Sequence, residues 1–315
     1  MDAPPNNRDR QAGGGDYRSQ NLAGANFSCC NLERTDFSGA DLRGANFSWA
    51  ILPSADFSDA DLRGARFHNT VVSGRFQEDL AGAASVSYGA GAGALFRGAD
   101  LTGVDLSGAL WDAFENGNVD FRRARLVGAC LRGLPLGRVG FQEADFSGAD
   151  LREADLTRAD ISSANLSDAC LRRARLLDTR MWGTRFTHTD LSEASIEADF
   201  PGGDFSFVSL RGARITGNFS GAKFRECDLT GAVIRGDFTG ASFAGATLKG
   251  TDFSGSEVRG SDMSGADMDR AELRSLDLSG VNFFGVNLER VNAKGADVTY
   301  ALTSKEGMDI LRRLS

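Results

Sequence analysis

Along this chain a large apolar residue returns at every fifth position. In Ala40-Asp41-Leu42-Arg43-Gly44, Ala45-Asn46-Phe47-Ser48, Ala55-Asp56-Phe57-Ser58 and Ala60-Asp61-Leu62-Arg63-Gly64, a small residue precedes Asp or Asn, and Leu or Phe follows. The register holds from Tyr17 through Leu22, Phe27, Leu32 and Phe37 to Val72, and again from Phe96 and Leu101 to Ile196. A period of five matches neither the two of a strand nor the 3.6 of a helix. A chain that turns a corner every five residues does keep Leu and Phe on one side. Four such sides close a square coil of about twenty residues. The large residue points inward with the small one beside it. The Asp/Asn, the following Ser, Thr, Arg or Glu and the frequent Gly face outward. Stacked coils pair as parallel strands roughly 4.8 Å apart. One coil cannot bury its own faces, so stacking supplies the stability.

The repeated A(D/N)LXX pattern, from about Tyr17 to Val298, resembles the pentapeptide-repeat family. The resemblance implies an all-β fold, a right-handed quadrilateral parallel β-helix (solenoid). Five segments are expected: a disordered tail (1–16), a short front array (17–72), an irregular Gly/Ala-rich insertion (73–95), a long rear array (96–302) and a C-terminal capping helix (303–315). The insertion reads either as a protruding loop or as a joint between two stacks. At the C-terminus, Thr303-Ser304-Lys305-Glu306 has the form of a capping box. Met308, Leu311 and Leu314 then share one helical face. That face is expected to lid the last coil; the alternative, which the resemblance implies, is a homodimer contact through the C-terminal end.

The breaks in the repeat carry their own information. Ile196, Ile215 and Ile234 are each followed by the next core residue after four positions, at Phe200, Phe219 and Phe238. Three successive coils are thus one residue short at the same corner, which is expected to be tightened or bent. The shortening is either an inherited duplication of one short coil or a shaped docking edge. Pro135 stands where Asp or Asn is usual, and Asn116 falls on a core position.

Composition sharpens this picture. The 315 residues include 39 Gly and 22 Phe against 3 Tyr and 3 Trp. These are corner and core positions of one period. Net charge is -8, which argues against direct gripping of nucleic-acid phosphates. Counting sides from Phe96 aligns an acidic row, Asp100, Asp120, Asp160, Asp199, Asp237, Glu257, Asp277 and Asp297, interrupted by Gly140, Arg180 and Asn218. The opposite side aligns a basic row, Arg132, Arg152, Arg172, Arg211 and Lys249, diluted by Asp150, Asp190, Asp228 and Asp267. Both rows are candidate partner-binding surfaces.

Candidate chemistry is sparse. His68 and His188 fall at outward corner positions. The five Cys show no CxxC spacing, so neither a disulfide framework nor a metal site is expected. No catalytic residues and no cofactors are expected. The opening residues lack the apolar core of a secretory signal, no run is long enough to span a bilayer, and the odd Cys count suits a reducing, cytoplasmic setting. The expected function is a non-catalytic scaffold for a protein partner or larger assembly. The resemblance implies an alternative: a DNA mimic that binds DNA gyrase or topoisomerase IV.

Overall fold

The structure is a computed structural model that describes residues 13–72, 93–109, 111 and 119–315. The chain groups into two compact units, Met1–Leu166 and Ser167–Ser315. Both are built as an all-parallel β-solenoid, and the second ends in one short helix.

In the first unit the ladder begins with parallel bridges Asp16↔Asp36, Asn21↔Asp41, Asn26↔Asn46 and Asn31↔Ile51. Each spans twenty residues, and four fit within one coil, which makes the coil four-sided. Pairing already includes Gly14, whose N–H donates to the Glu33 carbonyl (2.9 Å), inside the segment expected to be a tail; residues 1–12 lie outside the described residues. Corners are tight turns. Ala45 N–H donates to the Leu42 carbonyl (2.9 Å), and Gly44 between them has φ +66°. A positive φ at the third turn residue is what a type II turn requires. The Asp or Asn before each core residue serves this corner. Asp36 Oδ1 accepts from the Ser38 N–H (2.9 Å) and Asn46 Oδ1 from the Ser48 N–H (3.0 Å). An Asx turn of this kind satisfies a donor that the ladder leaves open. The sequence pattern places these residues outward; the structure gives them a structural task.

The core is a column of rings. Phe37 stacks on Phe57 (5.0 Å), Phe57 on Phe96 (5.1 Å), Phe96 on Phe121 (4.6 Å) and Phe121 on Phe141 (5.3 Å). Near-parallel rings at these separations add to the burial each already contributes. Residues 73–92, most of the insertion, lie outside the described residues. The ladder has resumed by Ala94, whose N–H donates to the Val72 carbonyl (3.2 Å), earlier than the expected boundary, and Leu95 bridges both Asp56 and Asp120. Asp61 likewise bridges Asp100. The coils on either side of 73–92 are therefore direct neighbours in one ladder.

Leu95↔Asp120 and Asp100↔Arg125 span twenty-five residues. This coil holds one pentapeptide more than its neighbours, within a stretch whose residues 110 and 112–118, including Asn116, are not described. The extra five residues shift the assignment of faces by one side. Phe96 therefore shares a face with Phe121, and Asp100 does not belong to the acidic row. It stands between Asp61 and Arg125, in the neighbouring column. Counting from Phe96 in steps of twenty misses this because the period of five is unbroken across the longer coil.

The second unit carries a five-stranded parallel sheet. Its strands are β1 (Arg175–Leu177), β2 (Ser195–Glu197), β3 (Arg214–Asn218), β4 (Val233–Asp237) and β5 (Ser256–Glu257), in sequence order. Ile196 pairs with Ile215 and Ile215 with Ile234, a spacing of nineteen. At the shortened corner the turn is missing, and β3 and β4 run extended straight through it. The core residues there, Ile196, Phe200, Ile215, Phe219, Ile234 and Phe238, are all buried. Extended backbone passes this corner only where no side chain obstructs it. Gly217 has φ +131° and Gly236 φ +109°; a Cβ on Gly217 would lie 2.0 Å from the Ala198 carbonyl oxygen, and one on Gly236 would lie 2.2 Å from that of Gly217.

The terminal helix α1 (Lys305–Leu314) starts on Ser304, whose Oγ accepts from the Gly307 N–H (3.1 Å). Ser304, and not Thr303, is thus the N-cap. Its third helical position is Gly307, so the reciprocal carboxylate of a capping box is absent. Leu311 is fully buried, which seats the helix against the array. Met308 and Leu314 are half-buried. Among the described residues no helix is long and apolar enough to cross a membrane.

Candidate interaction surface

Two kinds of outward column emerge from this geometry. The basic row is aligned within each unit by bridges such as Cys130↔Asp150 in the first and Asp190↔Ser209↔Asp228↔Thr247 in the second. Every member has a carboxylate partner. Arg132 pairs with Glu153 (3.1 Å), Arg152 with Asp150 (2.5 Å), Arg172 with Glu193, Arg211 with Asp228 (2.8 Å) and Lys249 with Asp267 (2.8 Å). Paired in this way, the row presents far less positive field than its residue types suggest. Surface pairs of this kind contribute little stability each.

The acidic row divides differently between the units. In the first, Asp120, Gly140 and Asp160 are bridged in order. Asp120 is 8% exposed and accepts from Arg122 Nε (3.0 Å) and Nη2 (2.7 Å), while Arg97 Nε approaches it from the other side. Burial raises its pKa, but bonds from the Arg122 side chain and backbone and from Arg97 outweigh that, and the carboxyl titrates below its usual range. A depressed folded pKa stabilises the fold above the unfolded value of about 3.9, and this is lost as pH falls through the folded value. Asp120→Asn is therefore expected to cost about 2 kcal/mol at pH 7, read as a lower thermal midpoint. The gap to the parent should close in acid, below the folded pKa. A gap independent of pH would contradict the assignment.

In the second unit the row begins with Arg180 and continues Asp199, Asn218, Asp237, Glu257, Asp277, Asp297. Asn218 pairs with Asp237, Asp237 with Glu257, and Asp277 with Asp297. From Asp237 onward the four acids occupy successive coils. Arg259 reaches Asp277 (3.4 Å); among the described residues no cation pairs with Asp199, Asp237, Glu257 or Asp297. Hydrogen bonds from the Ser279 side chain and backbone lower the pKa of Asp277. Those from Thr299 do the same for Asp297, against desolvation and the like charge of Asp277. From Asp237 to Asp297 the row is a run of four acidic residues in successive coils. Of the other columns of this unit, Asp204, Lys223, Ser242, Asp262, Asn282 mixes signs, and Asp190, Ser209, Asp228, Thr247, Asp267 alternates acids with neutral residues.

His68 and His188 are both exposed. Cys30 and Cys227 are buried, and burial pushes the Cys227 thiol up to about 12, which leaves it inert as a nucleophile. Among the described residues no group of three His, Cys, Asp or Glu is placed to hold a metal ion. One surface residue escaped the sequence reading. Trp182, 54% exposed, fills the outward turn position after core residue Met181, where most repeats carry Ser, Thr or Arg. A large aromatic in that position is the signal that would have found it.

The family model for pentapeptide repeats matches the chain in eight copies, over 21–52, 40–74, 92–110, 141–176, 218–257, 236–274, 253–290 and 266–301. No curated protein matches it. Among solved structures, the chain is similar to HetL, a pentapeptide repeat protein involved in heterocyst differentiation regulation from Nostoc sp. strain PCC 7120. The two are 24% identical over 92% of this chain and 93% of that one, with a TM-score of 0.23. It is also similar to a trypsin-treated variant of QnrB1, a plasmid-mediated fluoroquinolone resistance protein, at 18% identity over 60% and 95% of the two chains and a TM-score of 0.24. A third is a pentapeptide repeat protein from the Arabidopsis thaliana thylakoid lumen, at 23% identity over 56% and 69% and a TM-score of 0.11. The repeat matches together span more than half of the residues and fall on the bridged, five-residue ladder, so the chain belongs to the pentapeptide repeat family.

Proposed function

We propose that this protein is a non-catalytic scaffold whose second unit offers its acidic row to a protein partner. The observation that supports this most directly is the contrast between the rows. All five basic-row cations are paired on the protein itself, whereas Asp199, Asp237, Glu257 and Asp297 have no cation partner among the described residues. Unpaired charges held in a fixed line attract a complementary surface and set its register more than they stabilise the fold. The test is a complex of fixed composition formed by the parent protein and lost by a variant carrying Asp237→Asn, Glu257→Gln, Asp277→Asn and Asp297→Asn, whose far-UV circular dichroism matches that of the parent. A complex that survives neutralisation would remove the acidic row as its binding surface.

The same row supports a second reading. Four acids in successive coils stand roughly 4.8 Å apart, an order of spacing comparable to the phosphates of one DNA strand, 3.4 Å along the axis. In this reading the chain mimics DNA and binds DNA gyrase or topoisomerase IV, as members of its family do. A supercoiling assay with purified gyrase separates the two. A mimic inhibits supercoiling or changes quinolone-stabilised cleavage in proportion to added protein, and the neutralised variant does not. No effect of the parent on either readout excludes the mimic.

A further inference from the structure

The shortened corner makes a ledge. β1 and β2 pair in register, Leu177 against Glu197, and the Asp178 N–H donates to the Glu197 carbonyl (2.7 Å). Beyond this point the two coils diverge. The upper one takes five residues from Leu176 to Met181 and turns through Asp178 at φ +53°. The lower one takes four, from Ile196 to Phe200, and makes no such turn. The overhang opens a cleft of about 430 Å³ whose walls include Asp178, Arg180, Trp182, Glu197 and Asp199. Its lining also includes Ala198 and Gly217, which have almost no side chain to fill it. The Trp182 ring meets that of Phe200 at 84° with centroids 6.0 Å apart, which braces the exposed indole at the cleft. Glu197 and Asp199 are exposed, and no cation pairs with either among the described residues. Asp199 Oδ1 accepts the Asn218 N–H (2.9 Å), so that carboxylate is held in place.

We propose that this cleft receives an arginine side chain presented by a protein partner. An indole face attracts a cation by its quadrupole. A guanidinium also stacks flat on an aromatic ring while its forked N–H donors engage carboxylates, which a compact ammonium cannot do equally well. Three carboxylates against one arginine give the lining a negative excess, so an anionic ligand is disfavoured. The inference rests on the scaffold reading and adds to it the chemistry of the partner's contact. The two fail separately: a peptide titration can be negative while a complex persists, and the reverse.

The probe is acetyl-Gly-Arg-Gly-amide, titrated into the full chain labelled at its tryptophan indoles and followed by nuclear magnetic resonance. The Trp182 resonance is assigned with Trp182→Phe, and Trp49 and Trp111 serve as internal references. The matched peptide with citrulline in place of arginine keeps the shape and removes the charge. The expected result is a saturable shift of the Trp182 indole N–H by the arginine peptide. Binding should be about tenfold weaker for the citrulline peptide and for Glu197→Gln/Asp199→Asn, with the double variant melting as the parent does. An equal response to both peptides, an equal shift at Trp49, undiminished binding by the double variant, or no saturable shift would each overturn the proposal.

Discussion

Placing a carboxylate at Phe219 should unfold much of the second unit. Phe219 is fully buried, stacks on Phe238 (5.3 Å) and lies 5.9 Å from Phe205. Phe219→Asp removes about 1.5–3 kcal/mol of apolar burial. It also leaves an ionisable group inside, which costs several kcal/mol more or forces that group to stay protonated. The sum approaches the whole stability of an ordinary domain, about 5–15 kcal/mol. Loss of the far-UV circular dichroism of the parallel ladder and rapid proteolysis of residues 167–315 are the expected readings. Phe219→Leu, which keeps an apolar side chain, should retain the fold at a lower thermal midpoint. Unchanged spectra and melting for the Asp variant would mean that the inward register is wrong.

The second large effect belongs to Gly217. Gly217→Ala puts a Cβ 2.0 Å from the Ala198 carbonyl oxygen and 2.8 Å from its carbon, at a backbone φ of +131°. Neither atom can swing aside, because both are backbone of the adjoining coil. The strained conformation alone costs on the order of 1–3 kcal/mol, and the clash adds to it. Gly221 in the same unit separates the two contributions. It has φ +65°, and nothing lies within 4 Å of its Cβ direction. Gly221→Ala should therefore cost only about 1–2 kcal/mol, the ordinary penalty of a left-handed non-glycine residue. Calorimetric melting of both variants checks this, and equal midpoints would show that the missing turn at 217 is not closely packed.

These two sites also mark how far the sequence could be read. The inward register of Phe219 follows from the five-residue period alone, because one physical demand, an inward apolar side chain on every side of the coil, is repeated along the chain. The shortened corner was legible as a count, in the steps Ile196–Phe200, Ile215–Phe219 and Ile234–Phe238. What the lost residue does was not. A one-residue deletion can tighten a turn or abolish it, and only the pairing of β3 with β4 shows that the turn is gone and that Gly217 and Gly236 make room for its absence. Asp100 was misplaced for a related reason. Periodicity tells which residues face inward but not how many sides a coil has, and a coil of twenty-five residues keeps the same period as one of twenty. The neutralised state of the basic row was equally hidden. Arg172 meets Glu193 and Arg132 meets Glu153 across coils, at separations that a column-by-column reading does not compare.

The line of acids at Asp237, Glu257, Asp277 and Asp297 has a consequence for the solvent around it. Two unit charges in water interact with thermal energy at about 7 Å. The coil spacing of roughly 4.8 Å is shorter than that. A line of fixed charges this dense holds mobile cations against itself, as a polyelectrolyte does. A partner that docks there displaces those ions, and their release into bulk solution contributes favourable entropy to binding. Affinity for this edge then falls linearly with the logarithm of salt concentration, and the slope counts the ions released.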